Sequence, residues 1–295
     1  MIIDVHTHVW ASPDQLGHDA RAHIRRQSGR QELPAGPSDH ALAAECVDKT
    51  LVLAYRSAYL GAEVPNDFIA EYVSRHSDTM IGIAAVDPAE NGALDAAARL
   101  LDRSEFRGLT ISPADQNFHP ADSRAMRIYE LAARRAVPVF IHQGTHFPAR
   151  GRMEFARPLL LDEIAREYPE LTLVVCSLGH PWIEECIALV GKHPRVFADV
   201  AALVRRPWQA YNALVLAHQF NVMEKVLFGS DFPYFTAAEA IESVYRLHEV
   251  TQGTNLPSVP REMLRSMIER NALGALGIAR PGDQATEKKE EEDEP

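Results

Sequence analysis

The sequence predicts an α/β fold in which eight parallel strands and their crossover helices close into a single (β/α)₈ barrel. Three observations predict it. Short apolar runs rich in Val, Ile and Leu recur eight times along the chain. Stretches with helical periodicity separate them, the pattern of parallel strands joined by crossover helices. Most of the runs lack polar alternation, as strands covered on both faces do. Eight repeats favour closure over an open doubly wound sheet, the alternative that the same pattern permits.

In chain order the strand runs are residues 1–9, 50–54, 80–86, 107–111, 137–142, 171–177, 196–200 and 225–231. Helical candidates lie between them at 66–76, 92–103, 122–135, 157–168, 181–193 and 236–251, with a terminal one at 261–276. Asn66, Asp122 and Thr236 are side chains that cap a helix start by accepting backbone N–H bonds, and Pro181 suits a first turn. Residues 11–39 follow the first strand without strong periodicity and carry Gly, Pro, Ser and charged clusters, so they read as a long loop. In a barrel such a loop lies on the catalytic face. The barrel domain is thus residues 1–280. Residues 281–295 turn to Pro, Gly, Gln and acids and read as a disordered acidic tail.

Composition bounds the function. At 46% hydrophobic and 24% charged, the 295 residues can bury a large core. The formal net charge is −11, and the stretch from Glu287 to Glu294 carries six acids against two lysines, leaving a mildly acidic body. Nucleic acid and anionic membrane surfaces are recognised through clustered Lys and Arg, so neither is expected as a partner. A small-molecule substrate is. Cys46, Cys176 and Cys186 are an odd number without CxxC spacing, as expected of reduced thiols in a cytoplasmic protein. No basic-then-apolar leader and no bilayer-length run is evident. Phosphate-loop, Gly-x-Ser-x-Gly and His-Glu-x-x-His motifs do not occur, which sets aside nucleotide-dependent, serine-hydrolase and thermolysin-like readings.

The residues with chemistry sit at strand ends. Asp4-Val5-His6-Thr7-His8 closes the first run. Residues two apart on a strand share a side, so His6 and His8 can present two imidazoles to one ion while Thr7 points away. His142 ends the fifth run in the same way, and His146 follows in the next loop. Asp231 closes the eighth run in Gly229-Ser230-Asp231-Phe232-Pro233. An ionised carboxylate leaving an apolar strand needs a partner, and a cation shared with three imidazoles provides one. Arg56, Arg150, Arg205 and Arg206 follow the second, fifth and seventh runs, where one can bind a substrate carboxylate. Trp182 and Phe232 are candidates to line a pocket for a ring.

Together, the His-x-His first strand, the strand-five His142, Gly229-Ser230-Asp231-Phe232-Pro233 and the closing Asn271-Ala272-Leu273 resemble the amidohydrolase superfamily. More narrowly the chain looks like the branch containing aminocarboxymuconate semialdehyde decarboxylase, aromatic-acid decarboxylases and lactone hydrolases, from Met1 to about Ile278. The resemblance implies a TIM barrel of the metallo-dependent hydrolase type. It implies one divalent ion, zinc before manganese, held by His6, His8, His142 and Asp231, and relatives that are often homodimers. In the branch's hydrolases the residue matching Asp231 takes a proton from water activated by the metal.

Two positions depart from the branch. Ser177 stands where a catalytic His is usual, and serine cannot replace imidazole as a base near neutral pH. His180, three residues on, is a substitute if its loop bends toward the ion; equally, it merely starts the next helix. Thr110 and Ser112 replace a Lys and a His of relatives. The expected activity is hydrolysis of a small lactone, amide or cyclic ester, the expected substrate a carboxylate-bearing ring compound, with Asp231 and His180 as catalytic candidates and Arg56, Trp182, His146 and Phe232 as substrate-binding candidates. Non-oxidative decarboxylation of an aromatic or unsaturated acid is the alternative, and a catalytically reduced metal-binding barrel the third reading.

Overall fold

The computed structural model describes residues 1–144 and 148–283. Among them ten strands form, β1 (Ile3–Thr7), β2 (Lys49–Leu53), β3 (Tyr55–Ser57), β4 (Ala62–Val64), β5 (Met80–Ala85), β6 (Phe106–Ile111), β7 (Val139–Ile141), β8 (Leu173–Val175), β9 (Val196–Asp199) and β10 (Val226–Leu227). Eight of them pair in parallel in the order β1-β2-β5-β6-β7-β8-β9-β10, and β3 and β4 form a separate antiparallel hairpin. Backbone bonds from Val5 N to Phe228 O at 3.0 Å, Asp231 N to His6 O at 3.1 Å and His8 N to Phe232 O at 2.9 Å bring the last strand back to the first. The expected barrel is therefore the observed one.

Strand alternation divides the core in two. Ile3, Val5, Leu51, Leu53, Ile81, Phe140, Val174 and Leu227 pack inside the barrel. Val52, Leu109, Ile111, Val139, Ile141, Val175 and Val226 face outward into the helices. Lys49 and Arg107, at the first turns of β2 and β6, bind Asp283. That contact fixes residues 281–283 as an ordered turn, against the expectation of disorder from 281; 284–295 lie outside the described residues. The interior is plugged by Ala272, Leu273 and Leu276 of the closing helix and its end.

The helices are α1 (Gly17–Ser28), α2 (Pro37–Ala43), α3 (Asn66–Ser74), α4 (Ala93–Leu101), α5 (Pro113–Gln116), α6 (Ser123–Arg134), α7 (Asp162–Glu167), α8 (Ile183–Lys192), α9 (Pro207–Gln219), α10 (Ala237–Tyr245), α11 (Arg261–Ile268) and α12 (Ala272–Ala275). Asp122 and Thr236 cap as expected, the latter in a reciprocal box with Glu239. Asn66 does not. Pro65 holds the cap position, and the Asn66 amide instead bonds both the carbonyl and the N–H of Ala85, locking α3 to the end of β5. Pro181 lies just before α8, whose cap is Trp182.

Residues 11–39, read as a loop, contain α1 and the start of α2. The inward face of α1 offers only Ala20 and His23 as buried residues, too thin a stripe for sequence periodicity to register. Its helicity comes from docking over the barrel mouth between left-handed Gly17 and Gly29. The expected terminal helix 261–276 breaks into α11 and α12 because Asn271 caps a new start. Helix α9 went unread, although Pro207 at its first turn is a start signal.

Behind β1, Thr7 points outward as expected. Its hydroxyl donates to Leu51 O at 2.8 Å and accepts from His40 Nε2 at 2.9 Å, and His40 Nδ1 meets Tyr72 Oη at 2.8 Å. Burial, then the neighbouring His76, pushes the His40 imidazole down to about 3. Its folded value lies below the ordinary 6.5, so the unfolded chain takes up the proton first and stability falls as pH drops from 6.5 toward 3. The His40→Gln chain is expected to lose stability less steeply, by up to about 1.4 kcal/mol per pH unit, in denaturant midpoints between pH 7 and 4. Parallel pH profiles for the two proteins would contradict the assignment.

Candidate metal centre

Simple alternation does not by itself aim β1 at an ion. Ile3 and Val5 already face the interior, which would send His6 outward. The register of β1 on β2 slips between Asp4 and Thr7, a bulge that resets the alternation and turns His6 inward two residues before His8. Asp4 holds the bulge: its Oδ1 accepts from His6 N at 3.2 Å and Ser230 N at 3.0 Å. Burial raises the Asp4 carboxyl to about 6, against the lowering effect of these bonds. Gly229 is required beside it, since a Cβ there would sit 2.8 Å from the Cβ of His6.

On β7, His142 keeps the inward phase of Phe140. The three rings of His6, His8 and His142 have centroids 5.1, 5.2 and 5.4 Å apart. One ring nitrogen from each lies within 4.8 Å of the others. His8 Nδ1 is 3.0 Å from Leu53 O, a group that only accepts, so Nδ1 carries the proton. His6 Nδ1 is 2.9 Å from the Asp199 carboxylate and likewise donates. With both Nδ1 atoms donating, the two Nε2 atoms meet at 3.2 Å, a contact that takes either a proton or a shared cation between them. The separation fits a shared ion: two nitrogens about 2.0–2.1 Å from zinc at a tetrahedral angle stand about 3.3 Å apart. Burial disfavours a charged His6, but Asp199 outweighs it and holds the imidazole well above its ordinary value.

Asp199 was not read from the sequence. It is fully buried at the end of β9, in the inward phase of Phe197, and takes the His6 N–H together with the N–H groups of Ser177 at 2.7 Å and Ala201 at 3.0 Å. A carboxylate behind a ligating imidazole fixes its tautomer and raises its basicity. The signal was available, because a strand-end Asp two residues after an inward aromatic repeats the pattern of His142.

Asp231 lines the same cavity, nearly buried, in left-handed conformation at φ 62°. Among the described residues two groups of ligand atoms lie mutually close, the three histidines and, behind them, His6 with Cys176 and Asp199; the Asp231 carboxylate is in neither and stands 3.7 Å from Arg205 Nε. Ser177 also lines the cavity, in left-handed conformation at φ 54°. His180 does not line it. It follows the Ser177 turn, and burial and then Arg206 and Arg205 lower its imidazole.

The arginine and aromatic expectations shift to other residues. The Arg56 guanidinium is held by Glu63 on the hairpin and Glu90 in the loop after β5, and Arg56 is not among the cavity residues; Arg205 is. Arg205 stacks 3.9 Å from the Tyr234 ring, and its buried Nε has no hydrogen-bond partner among the described residues. Trp182 and Phe232 are not in the wall, where Trp10 and Tyr234 stand instead. Phe232 is consumed by β1, bridging Thr7 through its backbone and packing 5.0 Å from His40. His146 lies outside the described residues. Leu16, Ala20, His23 and Ile24 of the α1 region roof the cavity.

Residues 3–278 match the sequence model of the amidohydrolase family. No curated protein matches the sequence. Among solved structures, an uncharacterised TIM-barrel protein from Bordetella bronchiseptica superposes with a TM-score of 0.72 at 19% identity, covering 94% of this chain and 99% of its own. A dihydroxybenzoic acid decarboxylase from a Polaromonas species, with manganese and 2-nitroresorcinol bound, gives 0.67 at 14%, covering 96% and 98%. A probable 2-pyrone-4,6-dicarboxylic acid hydrolase from Acinetobacter baumannii, with citric acid bound, gives 0.62 at 13%, covering 94% and 99%. At these identities the likeness is one of fold. Among the described residues no helix is long and apolar enough to cross a membrane.

Replacing Asp199 by Asn removes the charge behind His6 and leaves a side chain of the same size. Divalent-ion affinity, measured by chelator competition, is expected to fall about 10–100-fold. An unchanged affinity would show that Asp199 acts only in packing.

Proposed function

The chain belongs to the amidohydrolase family, and from that premise we propose that it is a metal-dependent hydrolase opening a small lactone, amide or cyclic ester that carries a carboxylate. The observation that carries the reading is the convergence of ring nitrogens from His6, His8 and His142 beside a buried carboxylate, Asp231, at the same cavity. A divalent ion held there, zinc by the family resemblance or manganese, supplies Lewis acidity that polarises a carbonyl and makes water acidic near neutral pH. Asp231 accepts the proton of the attacking water at its carboxylate and returns it to the departing alkoxide or amine as the acyl bond breaks.

Arg205 supplies orientation. The Tyr234 ring braces its guanidinium, and its unspent Nε with a neighbouring N–H forms the fork that a carboxylate meets in two bonds. Trp10, Leu16, Ile24 and Val64 offer an apolar wall to the rest of the molecule. Hydrolysis asks for a base, which Asp231 provides; decarboxylation asks for a proton donor to carbon, and Ser177 is a poor one. One observation favours decarboxylation as a second reading: His23 of α1 lines the cavity and brings an imidazole from the roof.

Asp231→Asn is expected to lower kcat on a lactone substrate about 10²–10⁴-fold while the ion stays bound. Full turnover with metal bound would refute the role. Arg205→Met is expected to raise KM about 10–100-fold for a carboxylate-bearing substrate, with a smaller change in kcat because the guanidinium also stands beside Asp231. Release of CO₂ from hydroxybenzoates, without hydrolysis of any lactone, would establish the second reading instead.

A further inference from the structure

We infer that Ser112 and Ser177 form a paired hydrogen-bond donor in the cavity wall, one on each side of His142, that holds a neutral oxygen of the substrate. The inference rests on the reading of the cavity as a substrate site with Arg205 as its carboxylate clamp. It narrows the substrate class to acids that carry a ring, carbonyl or hydroxyl oxygen besides the carboxylate.

The two serines reach the cavity by different routes. Leu109 and Ile111 of β6 face outward into the helices, so Ser112, next after Ile111, takes the inward phase and lines the cavity. On β8 the same rule works against Ser177. Val175 faces outward and Cys176 inward, so continued alternation would send Ser177 outward. Left-handed backbone, φ 54° at Ser177 and 49° at Leu178, ends the strand and puts Ser177 in the cavity wall instead. A left-handed residue other than glycine costs about 1–2 kcal/mol. Such strain persists where the surroundings enforce it, and it clusters at functional sites.

Both serines are buried and held by their backbone. Ser112 N donates to Gln116 Oε1 at 2.9 Å, and Gln116 is itself fixed by donating to Arg56 O at 2.7 Å and Val86 O at 2.9 Å. Ser177 N donates to Asp199 Oδ1 at 2.7 Å, on the carboxylate that also holds His6. The hydroxyl protons are left for another use. Ser177 Oγ accepts from Ala202 N at 3.3 Å, and neither hydroxyl donates to a described residue. A buried O–H without an acceptor costs about 1–3 kcal/mol, which a ligand oxygen recovers.

Placement selects the kind of oxygen. In strand order β7 lies between β6 and β8, so the serines flank His142. The first two strands of the barrel stand across from β7, and their side supplies the apolar wall of Trp10, Leu16, Ile24 and Val64. A bound ring therefore meets carbon on one edge and two hydroxyls on the other. Hydroxyls bring dipoles and no net charge, which suits a neutral oxygen. The charged end of the ligand is matched by Arg205, in the loop after the seventh strand.

Calorimetric titration of the purified full chain tests the pair with ligands that need no turnover. These are the 2-, 3- and 4-hydroxybenzoates, each against the methylbenzoate substituted at the same position and of nearly the same size. At one ring position the wild type is expected to bind the hydroxy acid at least about tenfold more tightly than its methyl counterpart, the worth of two net hydrogen bonds. Ser112→Ala and Ser177→Ala are each expected to lower that ratio at least about threefold and to leave the methyl acid within about twofold. Ser177→Gly, which relieves the left-handed backbone, is expected to lower the ratio as Ser177→Ala does while melting no earlier, so that loss of the hydroxyl is separated from loss of the fold. A ratio near one at every position in the wild type, or one that either alanine variant leaves unchanged, overturns the pair. Arg205→Met is expected to weaken both acids alike and keep their ratio; if it weakens neither, the clamp fails and the pair stands or falls on the ratio alone. Failure of all the acids to bind overturns the cavity reading and the pair together.

Discussion

Two imidazole nitrogens held 3.2 Å apart, with a proton or a cation between them, are the constraint on which the upper half of the barrel depends. Neither ring can turn away, because each has its other nitrogen committed to an oxygen, Asp199 for His6 and Leu53 O for His8. The supports in turn have supports. Asp199 is saturated by backbone N–H groups from two loops, and Asp4 pins the β1 bulge to the Ser230 segment. Buried polar groups arranged in this way cost stability unless something positive sits among them. A divalent cation supplies that charge, and the same charge makes the site chemically useful.

This dependence explains where the sequence was legible. The barrel follows from eight apolar runs, and the runs are apolar because both faces of each strand are covered. The strand-end histidines stand out because imidazoles are rare at such positions in a core. The rest depended on information that local pattern does not carry. The inward turn of His6 needs a bulge invisible to two-residue alternation. Asp199 hides because a single acid after Val196-Phe197-Ala198 looks like a strand terminus. Helix α1 fully buries only Ala20 and His23, too thin a stripe to show as helical periodicity, so it reads as loop.

The pocket residues illustrate the same limit. Arg56, Trp182 and Phe232 sit at plausible loop positions, but each is spent elsewhere: Arg56 on Glu63 and Glu90, Trp182 at the start of α8, Phe232 on the outer side of β1. Which of several arginines faces the cavity depends on which acids are near, and that is a property of tertiary packing. Arg205 faces the cavity beside Asp231 and makes no hydrogen bond through its Nε, whereas Arg150 is tied to Asp19 and Arg206 to Gln27. Ser177 brings no strong acid or base to the cavity, so in the proposed reaction the burden falls on Asp231 with His23 above it.

The central claim is that the histidine trio holds a cation. Elemental analysis of the purified chain beside its His6→Ala and His8→Ala variants, after loosely bound ions are removed, tests it most directly. The account predicts about one zinc or manganese ion per chain in the wild type and its loss in both variants. A wild type without bound metal, or variants that keep it in full, would contradict the account.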